Sequence, residues 1–335
     1  MKRLSLLAAL LLGAVASMFG TGAGVMMEGF YWNCPSNWCA TMQSEVGTLS
    51  NMAGGYGIDR MWFAPSYKPC GYPGYAISDM GYDPFDYYDL GAYNQEGGIP
   101  THYGTQAQLK ACIAAYKAAG IACLEDIVIN HRAGGCSEYN PNVAITNNGT
   151  AGYTYTAFSN TLSGKCQWHY NEFHPSTYET YDEGTFGGYA DICHVTPFSS
   201  GHALYDLIQW GLWLTNTANA GFNGGWRFDA ASDYHATAMS NFWASTGKPF
   251  AVGEYSWGAG ESGEAYYVNQ TGGGVSAFDF ALLYLMETTC NDTTGNSGNM
   301  SSWINSSDSL AAAWPTRAVT FVGNHDTAPI TSDEM

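Results

Sequence analysis

The sequence predicts an α/β chain of the (β/α)8 TIM-barrel class, with a loop-rich insertion after the third strand and the closing eighth strand missing. Short apolar runs alternate with helix-forming stretches, as βα units around a parallel sheet do. One long segment, residues 132–202, breaks that alternation. Polar and charged residues sit just after the C-terminal ends of the apolar runs, where such a barrel gathers its chemistry.

In chain order, Val25 to Trp32 reads as the first strand and Ile58 to Ala64 as the second, ending at Pro65. Gln106 to Ala119 has helix-forming composition and stops at Gly120. Ile121 to Ile129 is the third strand, with Asn130 and His131 at its C-terminal end. From Arg132 to about Ser200 the chain is rich in Gly, Asn, Thr, Tyr and Cys, without helical period. So long an irregular stretch inside a compact domain is usually a functional insertion. A helical stretch from about Ala203 to Ala220 restores the pattern. Strands follow at Gly225 to Phe228, Phe250 to Gly253, Val275 to Phe280 and Ala318 to Gly323. The expected barrel therefore spans 25–131 and 203–330, and without an eighth strand it exposes two edges.

A chain of 335 residues suits one elaborated domain. With 11 basic against 29 acidic residues its net charge is -18, which argues against nucleic acid or an anionic membrane as partner. A neutral ligand and a divalent cation are both compatible with that charge. The 11 Trp and 24 Tyr offer flat faces for sugar C–H groups and polar tips for hydroxyls. Lys2 and Arg3, the apolar run Leu4 to Ala16, and small residues near Ala14 and Ala16 predict a signal peptide over about residues 1–20. That run is short for a membrane span, so a secreted, extracellular product is expected, with a monomer as the separate expectation. Nine cysteines suit an oxidising compartment, and the odd count leaves at least one outside intrachain pairing.

The strand ends bring Asn130, His131, Arg227, Asp229, Glu254, His325 and Asp326 to one expected mouth. Carboxylates are costly to bury without partners, so this many at separate strand ends points to a functional site. Paired carboxyl groups suit retaining glycoside hydrolysis, one as nucleophile and one as acid, then base. Arg227, two residues before Asp229, shares its side of the strand and is expected to hold Asp229 ionised. Glu254 as the acid needs a raised pKa.

Four of these segments, DIVINH (Asp126 to His131), GWRFDAA (Gly225 to Ala231), VGEY (Val252 to Tyr255) and FVGNHD (Phe321 to Asp326), resemble the signature regions of the α-amylase family, glycoside hydrolase family 13. GYDPFDYYDLG (Gly81 to Gly91), INHRAGG (Ile129 to Gly135) and GTFGGYADICH (Gly184 to His194) are similar to the archaeal and plant α-amylase subgroup, the archaeal one especially. The resemblance runs from about Val25 to Thr327. It implies a secreted α-amylase that cleaves α-1,4 bonds within starch by retaining double displacement. In it Asp229 is the nucleophile, Glu254 the acid/base and Asp326 the transition-state stabiliser. Arg227 orients the nucleophile, His131 and His325 hydrogen-bond the sugar being cleaved, and Tyr82 stacks beneath it.

The insertion matches the family's domain B, which clamps calcium against the barrel. The ligands implied are Asn130, Asp182, Asp191 and the backbone carbonyls of Gly184 and Asp233, an all-oxygen set of the kind calcium prefers. A zinc ion beside it is implied at His174 and Cys193, with Glu179 where the archaeal enzymes have His. His169 and His194 lie near these ligands in sequence, and Cys193 has two further readings, a buried thiol or a disulfide with Cys166. Where the family has Lys three residues after the nucleophile this chain has Ser232, followed by Asp233. The family's C-terminal β-sandwich is missing, so the chain reads as C-terminally truncated. A related α-glucosidase or transglycosylase, or an inactive truncated starch-binding fragment, are the alternatives.

Overall fold

Seven short strands run parallel and pair in chain order: β1 (Met26–Glu28), β2 (Arg60–Phe63), β3 (Ala122–Ile127), β4 (Gly225–Phe228), β5 (Ala251–Gly253), β6 (Ser276–Phe278) and β7 (Ala318–Val319). These belong to a computed structural model that describes residues 24–50, 57–71, 79–255, 260–290 and 309–327. The expected signal segment lies outside the described residues, as does the end of the expected barrel beyond residue 327. No eighth barrel strand occurs among the described residues.

Sequential parallel pairing needs a helix between strands, and each crossover winds the same way, which curls the sheet. The curl shows at the ends. His325, after β7, bonds to Glu28 on β1 at 2.5 Å, although the two are 297 residues apart. The architecture is thus an arc of a (β/α)8 barrel, seven strands long. β3 and β4 are buried along their whole length, so they read as apolar runs rather than alternating ones.

The crossover helices are α1 (Trp38–Leu49), α2 (Gln106–Ala118), α3 (Ala203–Thr215), α4 (Ala236–Ser245), α5 (Gly260–Gln270) and α6 (Phe280–Cys290). α2 starts with a reciprocal capping box between Thr105 and Gln108 and ends at Gly120 in left-handed conformation. α3 stops at Thr215, short of the predicted Ala220, because Thr215, Asn216 and Thr217 are weak helix formers and Gly221 turns left-handed. Gly225 opens β4 at φ 105, where a Cβ would fall 1.8 Å from the Phe250 carbonyl oxygen. Only glycine lets β4 and β5 close up there.

Residues between β3 and α3 leave the barrel and form two small antiparallel pairs. His131–Arg132 pairs with Ala190–Asp191, and Cys136–Asn140 with Gly152–Ala157. Arg132 anchors this excursion. Its guanidinium lies 3.7 Å from the Phe158 ring centre and 4.9 Å from that of Trp168, and donates to the Cys166 and Phe85 carbonyls. All nine cysteines are free thiols, so Cys166 and Cys193 do not form the disulfide considered from sequence.

Candidate active site

β3, β4 and β5 deliver their last side chains to one place because their registers align. Arg227 stands opposite Asp126 on β3 and opposite Val252 on β5. The Arg227 guanidinium is fully buried and donates to Asp126 Oδ1 at 2.9 Å and Asp229 Oδ1 at 2.6 Å. Its other nitrogen meets Glu254 Oε2 at 2.7 Å. One cation therefore faces three carboxylates.

Burial pushes Asp229 up to about 8; Arg227 opposes this, while Glu254 and Asp126 add to it. Arg227 does favour the ionised form of Asp229, as expected, but desolvation and two neighbouring carboxylates outweigh one guanidinium. Arg227→Met leaves these carboxylates without a counter-charge, and a loss of about 3–5 kcal/mol is expected. A thermal melt showing a loss under roughly 1 kcal/mol would mean that Arg227 is not the group compensating them.

The turn after β4 is strained at Ala230, a non-glycine residue with φ 44. Its N–H donates to Glu254 Oε2 at 3.1 Å, so the turn that places Asp229 also fixes Glu254. Asp126 accepts from the Trp62 indole at 3.0 Å and the Tyr82 hydroxyl at 2.8 Å. The Tyr82 ring stacks on His325, with centroids 5.3 Å apart and planes 20° apart.

Asp229, Glu254 and Asp326 line a single pocket with Tyr82, His325, Trp32, Phe186, Ser232 and Asp233. Asp326 accepts from Trp32 Nε1 at 2.9 Å and pairs with His325 Nε2 at 3.1 Å. Burial tends to raise Asp326, but His325 and Trp32 outweigh it and hold it below the usual carboxylate range. For His325, burial favours the neutral ring, yet Asp326 and Glu28 lift it to about 9. Because the folded value exceeds the unfolded 6.5, this contribution to stability is complete below pH 6.5 and is lost as pH rises through about 9. His325→Gln is expected to flatten the stability–pH curve between those values, and a slope identical to wild type would overturn the assignment.

His131 is held by protein partners. It is buried outside the pocket lining, and its Nε2–H donates to the Tyr82 carbonyl at 2.8 Å. Nδ1 then accepts from the Asn130 amide nitrogen at 3.3 Å. Burial lowers His131 to about 4 and keeps the ring neutral. With both nitrogens engaged, it props the Tyr82 backbone. The same tautomer turns Asn130 so that its Oδ1 is buried without a hydrogen bond.

Beside Asn130 lie further bare oxygens: both of Asp182 and Oδ1 of Asp191. The Gly184 N–H donates to the Asp233 carbonyl at 2.9 Å. Burial and the Asp191 charge push Asp182 up to about 7. Buried acceptors of this kind without donors fit a cation. His174 bonds Asp191 Oδ2 through Nδ1 at 3.0 Å, and a ligand atom each from His174, Glu179 and Cys193 lie within 4.8 Å of one another. His169 pairs with Glu138, whereas His194 gives Nε2 to the Ile129 carbonyl and keeps Nδ1 buried without a hydrogen bond.

Several site residues escaped sequence reasoning. Asp126 had a signal, a carboxylate inside an apolar strand. Trp32, Glu28 and the parallel rings of Phe186 and Tyr189 on His131 had none, since only the fold brings them in.

No protein-family model matches the chain. It is 30% identical to the α-amylase of Geobacillus stearothermophilus over 91% of its own length and 60% of that protein's. It is 29% identical to the glucan 1,4-alpha-maltohexaosidase of Bacillus sp. (strain 707), covering 91% of this chain and 64% of that one. The chain thus spans about 60% of the length of these curated relatives. The solved structure of wild-type α-amylase I from Eisenia fetida superposes with a TM-score of 0.61 at 14% identity, over 90% of this chain and 58% of that one, a likeness of fold. Kinship across nine-tenths of the sequence and a shared barrel lead to one finding: the chain is similar to the α-amylases, glycoside hydrolase family 13.

Proposed function

We propose that this chain is a secreted α-amylase that hydrolyses α-1,4 bonds within starch-type glucans with retention of configuration. The observation that carries the reading is the single guanidinium of Arg227 gripping both Asp229 and Glu254 at the floor of a pocket that Asp326 also lines. A shared fork favours the short carboxylate separation, about 5–5.5 Å, of retaining enzymes over the wider one of inverting enzymes. Asp229 attacks the anomeric carbon while Glu254 protonates the departing glycosidic oxygen. Glu254 then takes a proton from water, which releases the sugar from Asp229.

Asp326, ionised and held by Trp32 and His325, supplies negative charge for the oxocarbenium-like transition state. Tyr82, fixed through its hydroxyl by Asp126, gives the sugar an aromatic floor. Asp182, Asp191 and the Gly184 carbonyl from domain B, residues 132–202, would hold calcium together with Asn130 and the Asp233 carbonyl from the barrel. The buried oxygens without donors support that set. His174, Glu179 and Cys193 offer the mixed N, O and S donors of a zinc site. Calcium would supply charge that ties domain B to the barrel, and zinc a second tie.

Product analysis tests the reading. Rapid loss of iodine staining on starch without glucose release from maltose is expected of endo attack. Glucose from maltose would favour an α-glucosidase, and starch binding without hydrolysis an inactive fragment.

A further inference from the structure

The cluster of His174, Glu179 and Cys193 has three donors, all from the excursion between β3 and α3. Structural zinc sites are closed by four protein ligands. A fourth candidate comes from the other side. His235, at the start of α4 and six residues after Asp229, places Nε2 3.0 Å from both oxygens of Glu179. Its Nδ1 is taken by Glu183 Oε1 at 2.8 Å. On the facing side, His174 Nδ1 is taken by Asp191 and its Nε2 lies 3.5 Å from Glu179 Oε2. Two imidazoles thus turn their Nε2 atoms toward one carboxylate, and each has a second carboxylate behind Nδ1. That is how metal-ligating histidines are oriented: the outer carboxylate fixes the tautomer and leaves Nε2 for the ion.

We propose that His235 is the fourth ligand of a zinc centre with His174, Glu179 and Cys193, and that the ion locks the excursion onto the barrel beside the nucleophile's loop. The proposal rests on the reading of this cluster as a zinc site. Three ligands come from one layer and the fourth from another, so binding stiffens their contact. His235 is not one of the three whose ligand atoms lie within 4.8 Å of one another, and it meets them through Glu179.

The test uses the full chain with calcium in excess, Zn2+ for affinity and Co2+ as the visible probe. Wild type is expected to bind one ion and show the intense d–d bands of a tetrahedral site plus a thiolate-to-cobalt band. His235→Ala should keep the thiolate band, shift the d–d bands and weaken Zn2+ more than 100-fold, beyond the roughly 10–100-fold of an outer-shell loss. Glu183→Gln should weaken binding within that outer-shell range with the bands in place. Wild-type d–d bands in His235→Ala, or in His235→Gln should the first variant unfold, would make His235 an outer partner only and overturn the proposal. Failure of the zinc reading looks different: wild type and Cys193→Ser would then bind neither ion.

Discussion

Glu254→Gln is expected to lower starch hydrolysis by about 10²–10⁴-fold while starch still binds, the loss typical of removing a positioned general acid. The amide keeps the shape and can still accept the Ala230 N–H that now reaches Oε2 at 3.1 Å. It cannot deliver a proton to the departing oxygen. Its loss should therefore fall mainly on kcat, because the group acts in the transition state and not in ground-state binding. Aryl maltosides with good leaving groups need little protonation, so their first step should recover much of the rate. Wild-type starch hydrolysis in this variant would remove Glu254 from the mechanism. Equal damage to starch and activated substrates would point instead to a distorted site, with Arg227 released from its 2.7 Å contact.

Stripping calcium is expected to lower stability by an amount comparable to the loss of Arg227. Asn130, Asp182 and Asp191 hold buried oxygens without a hydrogen bond, and on Asp191 the bond from His174 at 3.0 Å goes to Oδ2. A ligand that binds only the folded state adds roughly 2.7 kcal/mol at a hundred times its dissociation constant and about 4.1 kcal/mol at a thousand times. For a barrel-sized domain each kcal/mol moves the melting temperature by roughly 2–4 °C. Chelation should thus lower the melting temperature by about 5–15 °C. Asp182→Asn should sit lower from the start and respond little to chelator. A melting curve unchanged by chelation would count against the site. An Asp182→Asn protein that responds as fully as wild type would move the ion elsewhere.

The barrel was legible in the chain because buried parallel strands are apolar runs between helical stretches, and β4 lies at Gly225–Phe228 as predicted. Strand lengths were less so. β7 keeps only Ala318–Val319 of the predicted Ala318 to Gly323, since ladder pairing extends only as far as the neighbouring strand β6 does. α1 and α4–α6 passed unmarked; α1 in particular starts at a left-handed Asn37 without a side-chain cap.

At the site, the sequence by itself determined which side chains stand at the strand ends. Backbone alternation and a shared parallel direction put Arg227, Asp229 and Glu254 at one mouth whatever the packing details. Only the tertiary structure decided how those groups are charged and whom they touch. Asp126 is 101 residues from Arg227, and Glu28 is 297 from His325. Protonation follows desolvation and neighbours within a few ångströms, quantities that exist only once distant segments meet. That is why Asp229 turned out raised instead of simply ionised, and why His131 serves Tyr82 and Asn130.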